Sequence, residues 1–79
     1  MSKFNLHLVR GDWDVRNGTY ISTHKTRQLA MKKLMADAKK WVAKVYYTRE
    51  TPVTDKVTII DFGHYTKFYA IEEVEDENI

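Results

Sequence analysis

Seventy-nine residues, 43% of them hydrophobic and 13% aromatic, predict one compact domain, because a chain of this length cannot fill two cores. The absence of cysteine excludes disulfides and thiolate metal sites, and it points to a reducing compartment, so a cytoplasmic protein is expected. The formal net charge of +2, from 13 Lys and Arg against 11 Asp and Glu, designates no partner on its own. The opening residues carry no apolar run of signal-peptide type, and no stretch approaches the roughly 18 apolar residues of a membrane span. A chain neither exported nor membrane-spanning is expected.

Lys3 to Arg10 alternates, with Phe4, Leu6 and Leu8 on one side and Asn5 and His7 on the other, which is the period of a half-buried strand. Gly11 and Asp12 interrupt it. Asn17-Gly18 then predicts a two-residue type I′ hairpin turn between Trp13–Arg16 and Thr19–Ser22, because both central positions of that turn require positive φ. In that register Trp13, Val15 and Tyr20 share the core face, and Asp14, Arg16, Thr19 and Ile21 the other.

Thr23 to Lys44 predicts one long helix. Ala30, Met31, Leu34, Met35, Ala38, Trp41, Val42 and Val45 recur at three- and four-residue steps and form its apolar stripe. Ser22, Thr23 and Thr26 are each competent N-caps. Leu34 and Trp41 are the expected core anchors. No Gly marks the end of the helix, and the β-branched and aromatic run Val45 to Thr48 favours a strand there. Arg49 to Asp55, with Pro52, predicts a loop. Lys56 to Phe62 and Tyr65 to Glu73 predict a second hairpin around Gly63-His64, apolar on both faces, since Val57 and Ile59 alternate with Ile60 and Phe68 and Ala70 with Tyr69 and Ile71. Residues 1–73 are therefore expected to form a single α+β domain, one long helix packed on a small antiparallel sheet in the order ββαβββ. Residues 74–79 are expected to be a frayed acidic tail, because their like charges repel.

One helix about 10 Å across cannot cover five strands spanning roughly 24 Å. An open sheet face bearing Tyr20, Tyr46, Tyr47, Tyr65 and Tyr69 is therefore expected, and with it either homo-oligomerisation or a protein partner.

Catalytic constellations are missing from the sequence. His7, His24 and His64 do not have the spacing of a zinc site, Asp12 and Asp14 suit surface charges flanking Trp13, and Asp61-Phe62-Gly63 is a strand end and turn rather than the magnesium-binding tripeptide of a kinase. No Gly-rich phosphate loop, nucleophile elbow or metalloprotease motif occurs. A non-enzymatic protein without cofactor or metal is expected.

The charges are unevenly placed. Lys25, Arg27, Lys32, Lys33, Lys39, Lys40 and Lys44 face only Asp37 within the helical stretch, whereas Glu72, Glu73, Glu75, Asp76 and Glu77 crowd the end of the chain. Arg27, Lys32, Lys33, Lys39, Lys40 and Lys44, with Tyr20, Tyr47, Tyr65 and Tyr69, are the candidate binding residues. Two functions follow. The first is docking on, and steric blocking of, a larger protein or protein–nucleic-acid complex. The alternative is direct nucleic-acid binding by the basic face of the 23–44 helix, with Tyr46, Tyr47 or Tyr65 stacking on bases of a single strand. In size, lack of cysteine, single helix on a small sheet and acidic tail, the chain resembles the small accessory proteins of bacteriophages and prophages, including anti-CRISPR and other inhibitors of host defence. That resemblance implies a phage-encoded inhibitor acting on a host complex, and it assigns no residue roles.

Overall fold

A computed structural model describes residues 2–75. It contains strand β1 (Ser2–Arg10), a 3-10 turn (Val15–Asn17), β2 (Thr19–His24), the helix α1 (Arg27–Ala38), β3 (Arg49–Pro52), β4 (Val57–Asp61) and β5 (Lys67–Glu75). The fold is α+β, one helix against a five-stranded antiparallel sheet. In space the strands run β2-β1-β5-β4-β3, so the first and last strands of the chain are neighbours in the middle of the sheet. The 3-10 turn between the first two strands has no counterpart in the expected order.

Period-2 alternation places the core as the sequence indicates. Leu6, Ile60, Tyr69 and Ile71 point to the helix side and are fully buried there with Ala30, Leu34 and Ala38. Val9, Ile59 and Ala70 point to the far side and are also fully buried. Val74 and Glu75, assigned above to the tail, extend β5 by pairing with Lys3 and Ser2; the rest of that tail, residues 76–79, lies outside the described residues.

The helix is shorter than expected at both ends. Thr23 and His24 remain in β2, and Thr26 is the N-cap, its Oγ1 accepting a hydrogen bond from the Leu29 amide at 3.2 Å. The helix stops at Ala38, leaving Lys39, Lys40, Trp41, Val42, Lys44 and Val45 in an irregular segment. Its buried stripe is Ala30, Leu34, Asp37 and Ala38, so a carboxylate replaces Met35, which is 39% exposed. Trp41 is 38% exposed rather than a core anchor. Val42 and Val45 nevertheless pack on the helix-side core, so the segment after the helix supplies apolar cover that α1 alone is too narrow to provide. Arg27, at the start of α1, is ion-paired with Glu50 on the outer strand β3.

The Asn17-Gly18 hairpin does not form. Residues 15–17 make the 3-10 turn, capped by Asp14, whose Oδ1 accepts from the Arg16 amide at 3.0 Å, and Gly18 is extended at φ −88°. Glycine is needed there for clearance instead. A Cβ on Gly18 would lie 2.6 Å from the Leu8 carbonyl oxygen and 2.8 Å from Val9 Cγ1. Without the hairpin register, β2 pairs with β1, and Ile21 rather than Tyr20 meets the helix-side core. Val45 to Thr48 is not a strand. The strand lies later, at Arg49–Pro52, where an edge position spares Pro52 the donor that proline lacks.

The expected open face is partly closed by the loop that replaced the hairpin. Val15 packs on Val9, Ile59 and Ala70, and the Trp13 ring meets Phe68 edge-on at 5.8 Å. Trp13 holds a positive φ of 54°, a conformation that costs a non-glycine residue about 1–3 kcal/mol. The exposed apolar sheet face on which homo-oligomers were expected is therefore smaller than a bare sheet would present, with Tyr20 on that side 57% exposed.

Leu34→Ala should lower the unfolding free energy in urea by about 2–5 kcal/mol, and Met35→Ala should change it by less than about 0.5 kcal/mol. Gly18→Ala should cost about 1–3 kcal/mol through the clash with β1, measured by the same urea unfolding.

Candidate functional site

The C-terminal end of α1 is fixed by a buried polar contact. The Tyr69 hydroxyl donates to Asp37 Oδ2 at 2.6 Å, and Lys40 Nζ lies 3.0 Å from Asp37 Oδ1. Burial opposes the charge on Asp37, but the hydrogen bond from Tyr69, the hydrogen bond and charge of Lys40, and the charge of Lys33 outweigh it and hold the carboxyl below its ordinary value. Burial, with the adjacent carboxylate, pushes the Tyr69 hydroxyl far above the usual phenol range. Tyr69 is thus a neutral, internal donor, and its place among exposed binding tyrosines is withdrawn.

Beyond that anchor the chain turns back and builds a groove of about 410 Å³, lined by Lys32, Met35 and Lys39 on one side and Ala43, Lys44 and Val45 on the other. Its lining is apolar at Met35, Ala43 and Val45 and cationic at Lys32, Lys39 and Lys44. Ala43 and Lys44 also line a second groove of about 380 Å³, together with Tyr46, Tyr47, Phe62 and Gly63. The two grooves are therefore neighbours that share the Ala43–Lys44 segment. Lys44 Nζ stands 5.2 Å from the centre of the Tyr46 ring.

The candidate residues divide accordingly. Lys32, Lys39 and Lys44 line the first groove and Lys44 and Tyr47 the second, and Tyr65 follows two residues after Gly63. Lys40 is spent on Asp37 and Arg27 on Glu50, while exposed Lys33 is not among the groove-lining residues. Tyr20 lies on the far face, edge-on to His7 at 5.8 Å; its hydroxyl donates to Thr23 Oγ1, which donates to Asn5 Oδ1, each at 2.6 Å. The candidate surface comprises one flank of α1 and the segment after it, since the helix spans Arg27–Ala38 rather than 23–44. Lysines and tyrosines were expected on opposite layers, but Lys44, Tyr46 and Tyr47 share one groove. Met35, Ala43 and Val45 escaped sequence reasoning because Met35 and Val45 fit an apolar helical stripe. The cluster of lysines around position 39 was the available signal.

The other titratable residues have local partners. His7 Nε2 is 3.3 Å from Glu72 Oε1, His24 Nε2 is 2.7 Å from Ser22 Oγ, and His64 Nδ1 accepts from the amides of Thr66 and Lys67 at 3.2 Å. Asp12 and Asp14 fold their loop, Asp12 Oδ1 accepting from the Asp14 amide at 3.1 Å. Among the described residues no three His, Asp or Glu side chains converge as a metal site would require. No helix among them is long and apolar enough to cross a membrane.

The charges are separated along the sheet. Glu72, Glu73 and Glu75 occupy the end of β5 away from Tyr69; at the rise of an extended strand, Glu75 is about 20 Å from Tyr69. Comparison with protein-family models, with curated proteins and with solved structures found no match to the chain in any of the three.

Because the folded-state pKa of Asp37 lies below its unfolded value of 3.8, its contribution to stability is present above that value and is lost as pH falls through the lowered one. Thermal melts should show Asp37→Asn less stable than the parent at neutral pH, with the gap narrowing as pH drops below about 4.

Proposed function

We propose that this is a non-enzymatic interaction protein that docks through its basic pole on an anionic surface of a larger partner. One observation carries it: Lys32, Lys39 and Lys44 surround an apolar groove and, among the described residues, no ion pair neutralises any of them. Opposite charge on the partner would relieve their mutual repulsion, and Met35 and Val45 would contribute apolar contact beneath it. A domain this small, seated on a larger assembly, acts by covering what lies beneath. Steric blocking of a host complex, as the resemblance to phage accessory proteins implies, is the corresponding biological role.

Position, not net charge, is what the test must isolate. Replacing Lys32, Lys39 and Lys44 by Gln and, separately, Lys3, Lys25 and Lys56 by Gln gives two variants of equal net charge. On a heparin column the groove variant should elute at clearly lower salt than the control variant, and equal elution of the two would overturn the assignment.

A further inference from the structure

We infer that the anionic partner is single-stranded nucleic acid, its phosphates lying along Lys32, Lys39 and Lys44 and its bases stacking on Tyr46, Tyr47 and Tyr65; this rests on the basic pole being the working surface. Ala43 and Lys44 line both the groove that holds the lysines and the one that holds Tyr46 and Tyr47, so a chain crossing that short segment meets cations and aromatic faces in succession. Tyr46 is 81% exposed and Tyr65 90% exposed, values at which a large ring gains nothing from the protein's own core.

Tyr65 is nonetheless held in a defined plane. Its ring lies parallel to that of His64, with centroids 5.4 Å apart and planes 3° from one another. His64 in turn stacks on Phe62 at 6.1 Å, and Phe62 packs on buried Tyr69 at 5.0 Å. The His64 ring is fixed by the amides of Thr66 and Lys67, which donate to its Nδ1, and Gly63, at φ 103°, makes the bend that starts this turn. A ladder of rings thus leads from the core to one outward aromatic face, the arrangement on which an unpaired base stacks with little loss of protein entropy.

The ligand chemistry follows from what each feature leaves unused. An acidic peptide would satisfy the lysines but not the open ring of Tyr65. A duplex would offer phosphates while keeping its base faces stacked inside. Single strands present both. Lysine, a compact charge on a flexible stem, suits backbone phosphate rather than bidentate reading of base edges, so recognition is tolerant of sequence. The same chemistry is available from DNA and from RNA.

Fluorescence anisotropy with labelled oligothymidylate and oligouridylate of about 16 nucleotides tests this, with inorganic polyphosphate as a polyanion that has no bases. Both oligonucleotides should bind, and log affinity should fall with log salt at a slope of about −2, as three neutralised phosphates predict. Tyr46→Ala and Tyr65→Ala should each weaken the oligonucleotides about tenfold, leaving the slope, the polyphosphate affinity and the melting temperature unchanged. Lys44→Gln should weaken all three ligands and flatten the slope. Oligonucleotide binding indifferent to both tyrosine substitutions would overturn the nucleic-acid assignment and leave the basic pole standing. Failure of every polyanion to bind at low salt would remove both.

Discussion

The hydroxyl of Tyr69 sits in the core with no access to water, and the structure is arranged around its need for an acceptor. An unmatched buried hydroxyl costs about 1–3 kcal/mol, so a partner has to be brought to it. Asp37 is that partner, and placing its carboxylate on the buried side of α1 rotates Met35 outward and fixes which flank of the helix faces solvent. Lys40 balances the carboxylate from the following turn, and the helix ends between them. The direction in which the chain leaves α1 then decides where Lys44, Tyr46 and Tyr47 are presented. A contact made for burial thereby positions the candidate site.

A second constraint is area. Twelve helical residues give about 18 Å of helix, too little to cover five strands, and the chain meets the shortfall with irregular segments rather than with a second helix. Val42 and Val45 complete the helix-side core; Val15, with Trp13 against Phe68, closes part of the far side. The far-side cover exacts two local costs. Trp13 holds a positive φ, and Gly18 passes so close to β1 that no side chain fits. Those costs are tolerable because the faces they cover are fully apolar at Val9, Ile59 and Ala70, where contact with water would cost more.

What was legible in the sequence is what depends on local periodicity. The alternation of Phe4, Leu6 and Leu8 gave β1, that of residues 57–60 and 68–71 gave both faces of the central hairpin, and Thr26 was among the named caps. What was illegible depends on tertiary partners. Nothing local distinguishes Asn17-Gly18 as a turn from Asn17-Gly18 as a clearance site beside Leu8. Trp41, Val42 and Val45 continue the helical spacing, yet the helix stops where Asp37 is committed to Tyr69 and Lys40 to Asp37, and the chain must reach β3. Pro52 suggests a loop until β3 proves to be an edge. The site was half legible: Lys32, Lys39 and Lys44 were singled out, but as a helix face, and the tyrosines were set on the opposite layer because Val45 to Thr48 was read as sheet.

The division of the cations sharpens the functional argument. Arg27 and Lys40 bond to carboxylates of the fold itself and are explained by stability. Lys32, Lys39 and Lys44 have no such carboxylate among the described residues. Helix propensity accounts for lysine on an exposed flank of α1, but it does not account for Lys44, which is outside the helix and closes the groove from the other side. Like charges gathered in one groove are unfavourable in the isolated protein, and an anion in that groove turns the same arrangement into a favourable one. Lys44 belongs to both grooves, so the group that would neutralise a phosphate is the one that stands over the Tyr46 ring, and charge and stacking are presented to a ligand as one surface.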